Sequence, residues 1–232
     1  MSKLFFYYGA MGSCKTATAI TTAYNYVESE NPTNTSPVDL NNQNIAKIIK
    51  PMIDTRDGVD IVKTRIGLSA KCQSLESFYD DFKKILNMDY IKEVREKQTY
   101  DKTYLRDELS DYIFEKLPYK VIILDECQFA SKEQIDFLTD IVDFCDIPVL
   151  CFGLKTDSNG NLFEGSKRLL EVAEVIEELK TMCWCGRKAT CNARYDENGI
   201  IRDGKQIMLG SNSQYKALCR KHYKMGILFK PN

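Results

Sequence analysis

Apolar positions along the chain fall into short runs separated by longer polar stretches. Lys3–Tyr8 is short, apolar and aromatic, which predicts a buried strand. Gly9–Thr16 is small and polar, and Ala17–Glu28 reads as a helix rich in β-branched residues. Ser29–Asn44, with its prolines and asparagines, reads as an exposed loop. Ile45–Met52 predicts a second strand. Leu75, Phe78, Phe82, Ile85 and Leu86 have helical spacing, so Ser74–Leu86 predicts a helix. Asn87–Glu115 is strongly charged and tyrosine-containing, and reads as a solvated helical insertion. Tyr119–Asp125 is the clearest buried strand, Lys132–Phe144 an amphipathic helix, Ile147–Gly153 a further buried strand and Ser166–Glu178 a further helix. Such alternation implies an α/β fold, a parallel sheet flanked by helices. After Leu179 the texture changes to Cys, Gly, Arg and Asn with short alternating segments. A boundary there divides 1–178 from a smaller unit, 179–232.

Length and composition narrow the field. A chain of 232 residues fits one large domain, or a domain with a small appendage. Its net charge of −1 argues against a generic binder of nucleic acid or of anionic membranes. No apolar run approaches the roughly 18 residues needed to span a bilayer. Met1–Tyr8 lacks the charged start and long apolar stretch of a signal peptide. Nine cysteines, an odd number at uneven spacing, and a single histidine fit a reduced, cytoplasmic protein with one metal site better than a disulfide framework.

Two segments carry nucleotide chemistry. Gly9, Ala10, Met11, Gly12, Ser13, Cys14, Lys15 and Thr16 lie between a predicted strand and a predicted helix, the context of a phosphate-binding loop (P-loop). In such a loop backbone N–H groups and a helix N-terminus face the phosphates. Lys15 would reach the β- and γ-phosphates, and Thr16 would place its hydroxyl on Mg²⁺. Cys14 stands where glycine is expected. A Cβ at that tight turn should be awkward and should reduce nucleotide affinity. The second segment, Leu124–Phe129, ends a buried strand in two carboxylates, and ligands of open parallel sheets bind at the carboxyl ends of strands. Asp125 is placed to hold Mg²⁺ and Glu126 to accept a proton. Either segment alone could be an ordinary turn; the pair makes that unlikely.

A third set lies near the end. Cys183 and Cys185, then Cys219 and His222, supply three thiolates and one imidazole, the closed tetrahedral set that structural Zn²⁺ prefers. Cys191 is a competing ligand, and a set of buried reduced cysteines is the alternative. A metal here would tie together a unit whose core is too small to hold itself.

With these sites in order, the chain resembles the type II thymidine kinases, the cellular and bacterial kind. The resemblance runs through Gly9–Thr16, Lys50–Arg56, Arg65–Ser69, Asp125–Phe129, Val149–Ser166, Glu177–Thr190 and Met208–Tyr223. It implies a P-loop kinase domain over 1–178, with insertions at 29–44 and 87–115, and a zinc-binding lasso domain over 179–232. It implies transfer of the ATP γ-phosphate to the 5′-hydroxyl of thymidine, giving dTMP and ADP for nucleotide salvage. Glu126 matches the general base, while Asp54, Thr55, Arg56, Asp125, Cys127 and Gln128 belong to the nucleotide motifs. Met11 matches a methionine close to the thymine base. Gln206, Ile207, Met208, Leu209 and Gly210 match the lasso that grips the base, and Tyr215 its aromatic anchor. Ser158 stands where many members carry a phenylalanine against the base. A homotetramer inhibited by dTTP is implied as well, with no nucleic-acid or membrane partner. Two other readings are a nucleic-acid-stimulated ATPase, suggested by the acidic strand end, and a catalytically weak sensor of thymidine or dTTP, suggested by Cys14 and Ser158. A zinc-dependent interaction module with a vestigial nucleotide fold is a third.

Overall fold

A computed structural model describes residues 2–30, 39–40, 44–86, 117, 119–202 and 215–231. The whole of the insertion at 87–115 and of Gln206–Gly210, and most of the loop at 29–44, lie outside these residues. Six strands form the main sheet: β1 (Leu4–Tyr8), β2 (Ala46–Lys50), β5 (Gln73–Ser74), β6 (Val121–Leu124), β7 (Val149–Gly153) and β8 (Val175–Glu178). Their order is β5-β2-β6-β7-β1-β8, and every pairing is parallel. A parallel sheet must be covered on both faces, and alternate side chains of each strand supply the two layers. Ile122 and Leu124 of β6 join a core with Phe78 and Phe82 of helix α2 (Leu75–Leu86), Leu138 of α3 (Lys132–Cys145) and Leu169 of α4 (Glu164–Val172). Val121 and Ile123 face the other way, against Ile20 and Ala23 of α1 (Lys15–Ser29). Each of these β6 side chains is fully buried, which stabilises the fold by roughly 1.5–3 kcal/mol apiece.

Local chemistry explains several boundaries. Helix α3 opens on a capping box: Ser131 Oγ accepts from Gln134 N while Gln134 returns its side-chain oxygen to Ser131 N. The threonines of α1 are tolerated because Thr18 and Thr21 donate their hydroxyls back to Cys14 and Ala17 carbonyls. Between β2 and β5 stands an antiparallel hairpin that the pattern does not predict, β3 (Ile61–Lys63) with β4 (Ser69–Lys71).

One expectation is corrected. Apolar spacing predicts a helix across Ser166–Glu178, but α4 stops at Val172 and Val175–Glu178 is the edge strand β8. Ala173 is already extended, with φ −72° and ψ 134°. Backbone groups along β1 need a partner, and Phe5–Tyr8 pair with Val175–Glu178. That long-range demand overrides local periodicity.

Beyond Leu179 a small antiparallel sheet forms from β9 (Cys191–Asp196), β10 (Gly199–Ile200) and β11 (Tyr215–Leu218), followed by a short helix, α5 (Arg220–Met225). Its buried core holds little more than Cys183, Ala189, Ala193, Leu218 and Cys219. No helix among the described residues is long and apolar enough to cross a membrane.

Candidate active site

Strand β1 delivers the chain into the loop 9–16, whose backbone is tightly constrained. Gly9 donates its N–H to Gly153 O at 3.3 Å. A Cβ on Gly9 would lie 2.3 Å from the carbonyl oxygen of Leu179, so no other residue fits. Gly12 and Cys14 both adopt positive φ, 79° and 58°. The loop does demand a left-handed residue at position 14, and a side chain there costs on the order of 1 kcal/mol. The Cys14 side chain is accommodated by exposure. Lys15 folds back over the loop, its Nζ donating to Gly9 O and Ala10 O at 3.1 Å and to Ser13 Oγ at 3.2 Å. Burial lowers the pKa of Lys15, against the pull of Glu126 and Asp125.

Facing the loop, β6 ends in Asp125 and Glu126. Thr16 donates its hydroxyl to Asp125 Oδ2 at 2.8 Å, joining the two motifs 109 residues apart. Burial first, and then the Glu126 charge, push the Asp125 carboxyl above its ordinary range, although Thr16 and Lys15 oppose this. Glu126 sits at φ 52° and is held on both oxygens. Gln128 Nε2 donates to Oε2, and Gln128 is itself fixed by accepting Leu154 N at 2.9 Å. Arg56 Nη2 donates to Oε1, while Arg56 Nε donates to Asp54 Oδ1 at 2.6 Å. Burial disfavours the charge on Arg56, but Glu126 and Asp54 outweigh it and raise the pKa. Burial likewise disfavours the Asp54 carboxylate, yet Arg56 and Lys50 hold its pKa below normal.

These groups border a cleft of about 360 Å³, lined by Met11, Cys14, Lys15 and Thr16, by Asp125 and Glu126, by Arg56, and by the hairpin tip from Lys63 to Ile66. Gly9, Ala10 and Ser13, within the loop but outside the lining, serve as acceptors for Lys15. Cys127 and Gln128 are buried behind Glu126; a Cβ on Gly153 would meet both at 2.6 Å. Thr55 is exposed and outside the lining. Ser158 is nearly buried, its carbonyl accepting the Tyr223 hydroxyl at 2.6 Å. Tyr215 opens β11, paired with Arg194.

The reading of the motifs misses several residues. Asn192, buried on β9, accepts Met11 N on Oδ1 at 2.8 Å and donates Nδ2 to Thr156 O at 3.3 Å. Thr181 donates its hydroxyl to Gly12 O at 3.2 Å. Both belong to the smaller unit and grip the loop 9–16 through its backbone. An asparagine in an alternating strand is an ordinary sight, so no local signal flags it. The hairpin tip is missed for the same reason.

Cys183, Cys185, Cys219 and His222 do come together: their ligand atoms all lie within 4.8 Å of one another. Zn–S bonds of about 2.3 Å in a tetrahedron place sulfurs about 3.8 Å apart, and Cys185 Sγ to Cys219 Sγ is 3.9 Å. His222 presents Nδ1 at 3.5 Å from both Cys183 and Cys219 sulfurs. Trp184 stacks on the imidazole with ring centroids 4.2 Å apart, and its Nε1 is anchored on Ile227 O. The donor set and spacing fit Zn²⁺. Cys191 lies outside the group.

An ammonium, a guanidinium, a hydroxyl and two carboxylates thus converge on one cleft at the carboxyl ends of parallel strands. That constellation suits phosphoryl transfer, which needs positioning and charge neutralisation more than covalent chemistry. Comparison with known proteins agrees. The sequence profile of the family described as thymidine kinase matches residues 84–223. Proteins named thymidine kinase from Vibrio cholerae and Aliivibrio fischeri are 39% and 40% identical over 226 residues, and each alignment covers 97% of both chains. One from Coxiella burnetii is 37% identical over 227 residues with the same coverage. Identity of this order along nearly the whole length, with the catalytic types gathered in one cleft, leads to one conclusion: the chain belongs to the thymidine kinase family.

Proposed function

We propose that the protein is an ATP-dependent thymidine kinase that transfers the γ-phosphate to the 5′-hydroxyl of thymidine, giving dTMP and ADP. The observation that carries this is the convergence of Lys15, Thr16, Asp125, Arg56 and Glu126 on one cleft, in a chain of this family. Lys15 leaves its loop carbonyls for the β- and γ-phosphates. Thr16 and Asp125, already bonded to each other, would hold Mg²⁺, which neutralises phosphate charge. Glu126 exchanges one of its two present donors for the 5′-hydroxyl and takes its proton as transfer proceeds. Gln128, pinned by Leu154, keeps that carboxylate aimed. Arg56 is near enough to turn from Glu126 to the transferring phosphoryl group.

The family resemblance assigns thymidine to Met11, Ser158, Tyr215 and the segment Gln206–Gly210, the last outside the described residues. A neutral base gives side-chain charges nothing to grip, so backbone groups in an apolar enclosure suit it. Domains 1–178 and 179–232 divide this labour, phosphates on the first and base on the second. Cys183, Cys185, Cys219 and His222 would hold Zn²⁺, which would supply the cross-link the smaller core lacks. The free state of all nine cysteines suits a cytoplasmic enzyme. A tetramer and inhibition by dTTP follow from the family resemblance alone.

Purified protein with Mg-ATP should form dTMP and ADP in equal amounts, and only with thymidine present. Glu126→Gln should lower kcat by about 100-fold or more while nucleotide binding persists. ATP turnover indifferent to thymidine would overturn the assignment.

A further inference from the structure

Lys50, the last residue of β2, is only 1% exposed, and its charge has no part in the cleft lining. A buried ammonium is expensive unless its donors are used. Here Nζ donates to Gly58 O at 2.6 Å and Ile61 O at 2.9 Å, and lies 3.7 Å from Asp54 Oδ2. Those three partners frame a single segment. Asp54 is the carboxylate that holds Arg56 Nε. Gly58 stands just beyond Arg56 at φ 107°, bonded back to Thr55 O. Ile61 begins the hairpin whose tip forms the far wall of the cleft. One side chain rooted in the rigid sheet therefore ties down both the Arg56 loop and the foot of the hairpin. The Asp54 carboxylate divides its oxygens, Oδ1 to Arg56 and Oδ2 toward Lys50, so the chain of contacts runs Lys50, Asp54, Arg56, Glu126.

We infer that Lys50 is a positioning residue for phosphoryl transfer: it touches no substrate and acts by fixing Arg56 against the reacting groups. Its position in the sequence is ordinary, a lysine at a strand end, and only the burial and the three backbone and carboxylate partners mark it. This inference rests on the kinase reading for its kinetic consequence and on geometry alone for its structural one.

The test is a double-mutant cycle of Lys50→Met and Arg56→Ala, read by thymidine-dependent ADP release and by ¹⁵N NMR of the Arg56 guanidinium. Lys50→Met should lower kcat by about 100-fold with thymidine KM little changed, as misplacement of a catalytic group by an ångström does. In the Arg56→Ala background the same substitution should cost less than about threefold. The Arg56 Nε–H signal should lose its exchange protection in Lys50→Met while amides of β6 keep theirs. Should Lys50→Met fail to fold, Gly58→Ala moves the same acceptor from the exposed loop, and should reproduce both the kcat loss and the Arg56 signature. Equal kcat losses in both backgrounds, or an unchanged Arg56 signal, would overturn the inference. Absence of any thymidine-dependent turnover in the unsubstituted protein would instead sink the kinase reading, and the NMR arm would still decide what Lys50 holds.

Discussion

Cys14 occupies the left-handed region that glycine would take at no cost, and it lines the cleft proposed above to receive the ATP phosphates. Replacing it by glycine removes the steric conflict but adds unfolded-state entropy, so the net stability gain should be about 0.5 kcal/mol. The larger effect belongs to the ligand: Cys14→Gly should lower the KM for ATP about threefold by letting backbone come closer to phosphate. Steady-state kinetics at saturating thymidine check this, and a raised KM would mean that the thiol itself assists binding. At this scale the sequence is a good guide wherever a residue type is chemically unusual for its place. Lys15, Thr16, Asp125 and Glu126 announce themselves by motif, and Cys14 by breaking one. Lys50, Thr181 and Asn192 are silent, because their partners are backbone atoms of distant segments and any strand-end lysine or strand asparagine looks the same.

Among the elements, β9 does more than build the small sheet. Through Asn192 it satisfies the Met11 amide and the Thr156 carbonyl, so a strand of the unit that carries the Cys/His cluster helps fix the loop 9–16. Asn192→Ala leaves a part-buried N–H without its acceptor, which costs about 1–2 kcal/mol. The loop should loosen accordingly, with the KM for ATP rising about fivefold to tenfold and kcat falling less. Isothermal titration with a non-hydrolysable ATP analogue would show it directly; unchanged affinity would mean that Thr181 and the loop's own bonds suffice. The elements also show where pattern reading fails. Strands β6 and β7 are apolar runs buried on both faces, β1 is an apolar, aromatic run buried at Leu4 and Phe6, and all three are plain in the sequence. Val175–Glu178 is an edge strand with two glutamates and no buried residue, so its identity lies in the edge that β1 offers rather than in its own residues. The hairpin β3–β4 is equally opaque, its strands three residues each with exposed flanks.

For the molecule as a whole, the Cys/His cluster and the cleft are mechanically joined. Thr181 and Asn192 reach the loop 9–16 from the unit that carries the cluster, and Tyr223, next to His222, holds the carbonyl of Ser158. Removing Zn²⁺ with a chelator should therefore weaken ATP binding as well as thymidine binding, while the parallel sheet stays folded. Trp184, the one tryptophan of the chain, stacks on His222 and should report the loss by fluorescence. Retained affinity for both ligands in metal-free protein would separate the two sites. The strand order carries a different consequence, one of timing. Strand β1 comes earliest in the chain of the six strands in the sheet, yet among the described residues it pairs only with β7 and β8. The loop that follows it must wait for Asn192, 181 residues downstream of Met11. Until β7 is made, an apolar, aromatic strand has no partner, and contacts of such long range form slowly. A nascent chain halted anywhere before β7 thus offers chaperones, or other nascent chains, the very strand from which the finished enzyme leads into the loop 9–16.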